Sequence, residues 1–217
     1  MDRRKPSAVF DYRGLRLLVG LIALSLPIVA VALAGRSLPS ISASYYSNAR
    51  DMFVGQLFVV GAFLFAYNGH SDYESYASKV ASIAALCVAS FPTTCDGCPV
   101  GFHSIVHYLS AALLFSILAY FCFIPFQRGL KDKPGKGKIR RRWIYAICGS
   151  VMVACIIVIA LANLLLSREA VEAWRITFWG EWLALTAFGI AWIASGKTLR
   201  WIADEEELYQ PFRRPTK

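Results

Sequence analysis

Charge is confined to a few short stretches of this chain, and long apolar segments separate them. The charged residues concentrate at 2–16, 128–142 and 197–217. A bilayer offers no water to an unpaired backbone, so the spanning structure that such apolar segments favour is an α-helix of about 20 residues. The apolar and charged fractions are 57% and 17%, against about 45–50% and about 25% in soluble domains. The pattern predicts an all-α, polytopic membrane protein.

Six apolar segments approach the length that crosses a bilayer. They cover residues 15–34, 50–67, 77–93, 103–126, 143–166 and 174–196. The third segment is rich in alanine and serine, which suits close packing inside a bundle. The first has a basic start, but its apolar run exceeds the roughly 7–15 residues of a signal peptide, so we expect a retained helix. We predict one six-transmembrane-helix bundle that spans residues 1–217.

The distribution of Lys and Arg predicts the orientation. The N-terminal arm, a flexible loop at 127–142 and a tail at 197–217 are rich in these residues, and the other connections are poorer. Basic loops tend to stay in the cytoplasm, and six helices put all three stretches on one side. We therefore predict a cell-membrane protein with both termini cytoplasmic. The acidic run at 204–207 is expected to be a solvated helical end.

The net charge of +9 does not by itself indicate a nucleic-acid partner. The basic residues flank apolar segments, as expected of loops that face anionic lipid. We therefore expect membrane lipids as partners and no nucleic acid.

One short stretch before the fourth segment combines thiols and imidazoles. Cys95 and Cys98 are separated by two residues, and His103 and His107 stand four apart on one face of a helix. Imidazoles at that spacing can bind one divalent metal ion such as zinc, whereas thiols in an oxidising compartment often pair. Three alternatives stay open for the cysteines: a Cys95–Cys98 disulfide, a metal site shared with His103 and His107, and unpaired thiols. A separate metal site from His103, His107 and Asp51 is also a candidate.

Three ionisable groups fall at a similar shallow depth on the predicted outer side: Asp51, His107 and Glu181. Such groups are costly inside a bilayer and often functional. We predict that they share an outward-facing polar pocket with Ser42. His107 would be the general base or a metal ligand, a carboxylate would orient it, and Ser42 would bind substrate or act as nucleophile. An unpaired carboxylate at Glu181 would be costly, so we expect His107 or Arg175 as its partner. The alternative is a structural network, such as Asp51 with Arg50 or Glu181 with Arg175.

Short motifs in matching order resemble a known family. Residues 38–43 read Leu-Pro-Ser-Ile-Ser-Ala, residues 180–182 read Gly-Glu-Trp, and residues 91–93 read Phe-Pro-Thr ahead of His107. These features resemble the FRAG/DRAM/Sfk-type six-helix membrane proteins and related bacterial families of unknown function. The resemblance implies six helices, cytoplasmic termini and a role in lipid handling.

Three classes of function fit these observations. The first, which we favour, is a protein that binds or remodels lipid through the outward-facing site; its sharpest form is a metal-dependent or His/carboxylate-assisted lipid hydrolase. The second is a transporter or channel subunit, which needs polar groups through the whole membrane depth, where Gln56 and Asn163 offer few. The third is a non-catalytic sensor or assembly partner. Whether the protein is an enzyme stays open.

Overall fold

The chain folds into helices joined by short connections. The computed structural model describes residues 12–95, 97–128, 130 and 135–208, and these residues form α-helices and short 3₁₀-helices without any strand. The α-helices are α1 Tyr12–Leu33, α2 Arg50–Ala66, α3 Asp72–Ser90, α4 Phe102–Phe123, α5 Lys136–Leu165, α6 Arg168–Ala173 and α7 Ile176–Gly196. The 3₁₀-helices are Ser42–Tyr46, Pro125–Gln127 and Glu205–Glu207. The prediction of an all-α fold is confirmed.

Four helical segments are long and apolar enough to cross a membrane. They are Arg13–Leu33, Phe102–Gln127, Lys136–Leu165 and Ile176–Gly196. By length and composition the chain therefore has the helices of a multi-pass membrane protein. α2 is shorter, with 17 residues, and α3 is more polar because its first turns contain Asp72, Glu74 and Lys79.

Helix boundaries differ from the predicted ones most at the starts of α3 and α5, and one short helix was not predicted. α3 begins at Asp72 rather than at 77, because the Ser71 side chain accepts a hydrogen bond from the Glu74 amide and caps the helix. α5 begins at Lys136 rather than at 143, so the second half of the predicted flexible loop is helical; residues 131–134 lie outside the described part. α6 is a short helix that the apolar pattern did not predict.

Consecutive long helices run antiparallel and pack side by side, and α7 packs against both α5 and α1. α1 and α7 approach each other closely at two glycines. A Cβ atom added at Gly20 would lie 2.8 Å from the Gly189 carbonyl oxygen, and a Cβ added at Gly189 would lie equally close to the Gly20 carbonyl oxygen. Small residues at such positions let helix backbones approach closely in membranes.

The helix arrangement has two ends, which we call the loop end and the basic end. The loop end holds the connections 34–49, 91–101 and 166–175. The basic end holds the start of α5 and residues 197–208.

Two buried apolar clusters fill the interior. The larger cluster reaches the basic end and includes Phe121, Tyr145 and Trp192. The smaller cluster lies under connection 34–49, where Leu38 and Ile41 pack with residues of α1, α2, α3 and α7. The loop end is therefore held by an apolar core of its own.

Residues 197–208 cover the basic end. Arg141 on α5 is fully buried; it donates hydrogen bonds to the Ile202 carbonyl oxygen at 2.6 Å and to the Glu207 carboxylate. Lys197 Nζ lies 2.9 Å from the same carboxylate. The expectation of a solvated acidic segment holds for Glu205, which is exposed, and is wrong for Glu207, because a buried guanidinium requires a counter-ion.

Candidate functional site

Glu181 and Ser42, two members of the predicted pocket, are in direct contact at the loop end. The Ser42 amide donates to Glu181 Oε2 at 2.9 Å, and the Ser42 hydroxyl donates to Oε1 at 3.0 Å. The Ile41 amide also bonds this carboxylate. The carboxylate thus accepts hydrogen bonds from backbone amides that have no hydrogen-bond partner within the first turn of the 3₁₀-helix. The expected partners of Glu181, His107 and Arg175, are not the ones that it has.

Connection 34–49 is a packed segment with its own hydrogen bonds. The Ser40 hydroxyl accepts from the Ala43 amide at 3.0 Å, and the Tyr46 hydroxyl donates to the Thr93 carbonyl oxygen at 2.7 Å. Ser42 is only 8% exposed, and its hydroxyl proton is directed to Glu181. A nucleophile must reach its substrate, so this environment suits a structural serine better than a catalytic one.

Arg175 holds the start of α7 against the same connection. It adopts a left-handed backbone conformation with φ 50°, which turns the chain between α6 and α7. One guanidinium nitrogen donates to the Leu38 carbonyl oxygen at 3.0 Å, and the guanidinium carbon lies 3.9 Å from the centre of the Phe178 ring. The second contact is a cation–π interaction, so the guanidinium has a fixed position.

A cavity of about 340 Å³ opens beside Arg175. Residues 36–39 form one wall, and Glu172, Ala173 and Arg175 form the other. Arg36 adds a second guanidinium to this lining. The Glu172 carboxylate already pairs with Arg168 at 2.7 Å, so the charge of the lining is dominated by the arginines.

His107 has different hydrogen-bond partners from Ser42 and Glu181. It is buried on α4, and its Nδ1 lies 2.8 Å from the Phe91 carbonyl oxygen at the end of α3. In the described part of the chain no hydrogen bond joins His107 to Ser42, Asp51 or Glu181. His107 therefore links α4 to α3, and of the four predicted residues only Ser42 and Glu181 are joined by hydrogen bonds in the described part of the chain.

The predicted metal ligands are not brought together. Asp51 is exposed in the first turn of α2, and His103 is exposed at the start of α4 with its ring 5.8 Å from that of Phe91. Among the residues that the structure describes, no three His, Cys, Asp or Glu side chains could hold one metal ion. Metal ligands must converge to about 2.0–2.2 Å from the ion, and the structure does not bring His103, His107 and Asp51 together in that way.

Cys95 and Cys98 form a disulfide in the connection between α3 and α4, with their Cα atoms 5.2 Å apart. The Cys98 amide donates to the Cys95 carbonyl oxygen at 3.1 Å, and Gly97 provides the positive φ of 77° that this tight turn requires. Asp96 lies outside the described residues. Of the three alternatives for these cysteines, the structure contains the disulfide.

Comparison of the chain with protein-family models, with curated proteins and with solved structures finds no match. Its sequence and structure define the class: a helical protein with four helices that can cross a membrane and a packed polar connection at the loop end.

Sequence reasoning missed the cavity between Arg36 and Arg175. The sequence predicts Arg175 only as a partner of Glu181, and Arg36 stands in a connection that is poor in Lys and Arg. The available signal was the presence of arginines on the side where orientation does not require them.

Proposed function

We propose that the chain crosses the cell membrane six times, with both termini in the cytoplasm. Four helices are long and apolar enough to cross a membrane. Polar contacts in the middle of α2 and α3 indicate that these two helices lie at the same membrane depth as α1. Gln56 on α2 donates to the hydroxyl of Ser25 in α1 at 3.2 Å. Ser82 on α3 donates to the Gly61 carbonyl oxygen of α2 at 2.7 Å. The Lys- and Arg-rich stretches at the basic end support a cytoplasmic position for that end.

The function that the geometry supports best is lipid binding at the loop end, in the cavity beside Arg36 and Arg175. α1 ends at Leu33 and α7 begins at Ile176, so the cavity lies just beyond the ends of two helices that can cross a membrane. A guanidinium binds phosphate through paired N–H groups. The ligand class is therefore an anionic lipid head group of the outer leaflet.

The observation that carries this proposal is that two arginines, Arg36 and Arg175, line one cavity together with a single acidic residue, Glu172. The hydrolase form receives no such support, because the Ser42 hydroxyl donates to Glu181 and His107 bonds Phe91. Membership of the FRAG/DRAM/Sfk-type group stays a proposal, and its implied role in lipid handling agrees with lipid binding.

Lipid retention by the purified protein tests the proposal. The protein in nanodiscs of phosphatidylcholine and phosphatidylglycerol is released into detergent, and the phosphatidylglycerol that stays bound is counted by native mass spectrometry. The Arg36→Gln variant should retain about tenfold less at the outer site, as expected for losing a charged contact of about 1.5 kcal/mol.

Arg50→Gln is the matched control. Arg50 is an exposed arginine at the same end that contacts Tyr45 rather than the cavity. Equal retention by the native protein, Arg36→Gln and Arg50→Gln would contradict lipid binding in this cavity.

A further inference from the structure

α5 is longer than a bilayer requires. Its 30 residues extend about 45 Å at 1.5 Å per residue, whereas the hydrocarbon core is about 30 Å thick. Part of the helix must therefore lie at the level of lipid head groups or beyond. The residues at its start, at the basic end, are the charged ones.

One face of this helix stays uncovered from its first turn onwards. Lys136, Ile139, Arg140, Trp143 and Ile147 are all exposed. Their spacing of three and four residues places them along one stripe of the helix. We call this set the α5 stripe.

The chemistry of the α5 stripe changes in order along the helix axis. Lys136 and Arg140 stand nearest the basic end, Trp143 follows with 66% of its surface exposed, and Ile147 comes next with 57%. A phospholipid has the same order of groups: a phosphate, a glycerol ester region and an acyl chain. Tryptophan favours the middle of these three levels, because its ring is apolar and its N–H is polar.

The guanidinium of Arg140 is held in place. It donates one hydrogen bond to the Trp201 carbonyl oxygen at 2.6 Å, and Trp201 is itself 57% exposed beside it. A guanidinium has five N–H donors, so the others can bind a phosphate. In the described part of the chain no carboxylate forms an ion pair with Arg140.

The next residue, Arg141, points into the protein and is bound by polar partners there. Arg141 is buried and bonds Glu207 and Ile202, whereas Arg140 points to the surface and has no acidic partner among the described residues. The two adjacent side chains therefore have different roles: Arg141 fixes residues 197–208, and Arg140 remains available to an external anion.

We propose that the α5 stripe binds an anionic phospholipid of the leaflet at the basic end. Lys136 and Arg140 hold the phosphate, Trp143 lies beside the glycerol esters, and one acyl chain follows Ile147. The site rests on the proposed position of the basic end at a membrane surface, and it does not depend on the cavity at the loop end.

Quenching of tryptophan fluorescence by brominated acyl chains tests the site. The full chain is reconstituted in phosphatidylcholine vesicles that contain either brominated phosphatidylglycerol or brominated phosphatidylcholine at the same mole fraction. The contribution of Trp143 is the difference between the native chain and its Trp143→Phe variant. Phosphatidylglycerol should quench Trp143 more strongly than phosphatidylcholine does.

Two double variants separate this site from the loop end. Lys136→Gln with Arg140→Gln should lower the preference for phosphatidylglycerol at Trp143 by roughly thirtyfold, as expected for two basic residues near a membrane surface. Arg36→Gln with Arg50→Gln removes the same charge from the other end and should leave Trp143 quenching unchanged. If this second variant loses retained lipid but keeps Trp143 quenching, the two proposals are independent.

Added salt provides a test that needs no variant. Because salt screens exposed charges, it should lower the preference for phosphatidylglycerol at Trp143 in the native chain. Equal quenching of Trp143 by the two brominated lipids would overturn the proposal. So would a preference that persists in the Lys136/Arg140 variant.

Discussion

Glu181 near the start of α7 accepts hydrogen bonds from both the amide and the hydroxyl of Ser42, which lies 139 residues earlier in the chain. This contact joins the connection after α1 to the last long helix. The two residues belong to motifs, Leu-Pro-Ser-Ile-Ser-Ala and Gly-Glu-Trp, that stand far apart in sequence and meet in the fold.

Replacing Glu181 with glutamine should destabilise the protein. A glutamine side chain has one acceptor oxygen, so at least one Ser42 donor would face an N–H₂ group instead of an oxygen. The expected loss is about 1–3 kcal/mol of unfolding free energy, the cost of an unsatisfied buried donor. Thermal unfolding of the purified variant measures it.

Glu169→Gln is the control for this change, because Glu169 is exposed on α6 and should be neutral. An unfolding temperature of Glu181→Gln equal to that of the native protein, with a loss of lipid retention instead, would show that the carboxylate serves function rather than structure.

Enlarging Gly20 should separate α1 from α7. A Cβ atom at this position would meet Ile193 Cγ1 at 2.6 Å and the Gly189 carbonyl oxygen at 2.8 Å. The helices must shift to admit it, at a cost of about 1–3 kcal/mol for overpacking. Gly20→Ala should therefore lower the unfolding temperature.

The same substitution at Gly55 is the matched control. Gly55 is exposed on α2, and an added Cβ there meets nothing within 4 Å. Alanine favours a helix over glycine by about 1 kcal/mol, so Gly55→Ala should be neutral or stabilising. If Gly20→Ala behaves like Gly55→Ala, the close contact between α1 and α7 is wrong.

Acid should release residues 197–208 from the basic end. Burial alone would raise the pKa of Glu207, but hydrogen bonds from Lys197 and Arg141 outweigh it, and the pKa lies below its usual value. A carboxyl whose folded-state pKa is depressed contributes stability above its unfolded pKa and loses that contribution as the pH falls through the folded pKa. Hydrogen exchange of the 197–208 amides should therefore accelerate in acid.

Glu207→Gln should remove this pH dependence, because the side chain no longer titrates, and should accelerate exchange at neutral pH. Glu205→Gln changes an exposed carboxylate two residues away and should retain the native profile. Identical pH profiles in all three proteins would exclude Glu207 as the group responsible.

Cys95 and Cys98 should be oxidised together in the native protein. Alkylation of freshly isolated, unreduced protein followed by mass spectrometry should leave both residues unlabelled, and labelling should follow reduction. The ring that this disulfide closes is small, so its removal should loosen the connection between α3 and α4 locally and change global stability little. Two alkylated thiols in unreduced protein would refute the pairing.

The sequence predicted the long helices well, because a long apolar segment without charge favours both a helical conformation and a position inside a membrane. It also predicted that Glu181 needs a partner, since a lone carboxylate is costly there. It could not identify Ser42 as that partner, because the contact depends on how Leu38 and Ile41 pack the connection into the smaller apolar cluster.

The packing of residues 197–208 against the basic end could not be predicted from the sequence, for a different reason. Arg141 is one of several consecutive basic residues, and in sequence all of them have the character of a solvated loop. Only the helical phase of α5 turns Arg141 inward and leaves Arg140 outside. The cavity beside Arg175 likewise arises from the left-handed turn between α6 and α7, which residue types alone did not indicate.

The side of the membrane that holds the connection between α2 and α3 tests the six-crossing account most directly. If only the four most apolar helices crossed, this connection would stay with the loop end; if α2 and α3 also cross, it lies in the cytoplasm. His70 is exposed in this connection, so a single cysteine there can react with a membrane-impermeant maleimide. The account predicts no labelling in intact cells and labelling after permeabilisation. Labelling of His70→Cys from outside intact cells would contradict it.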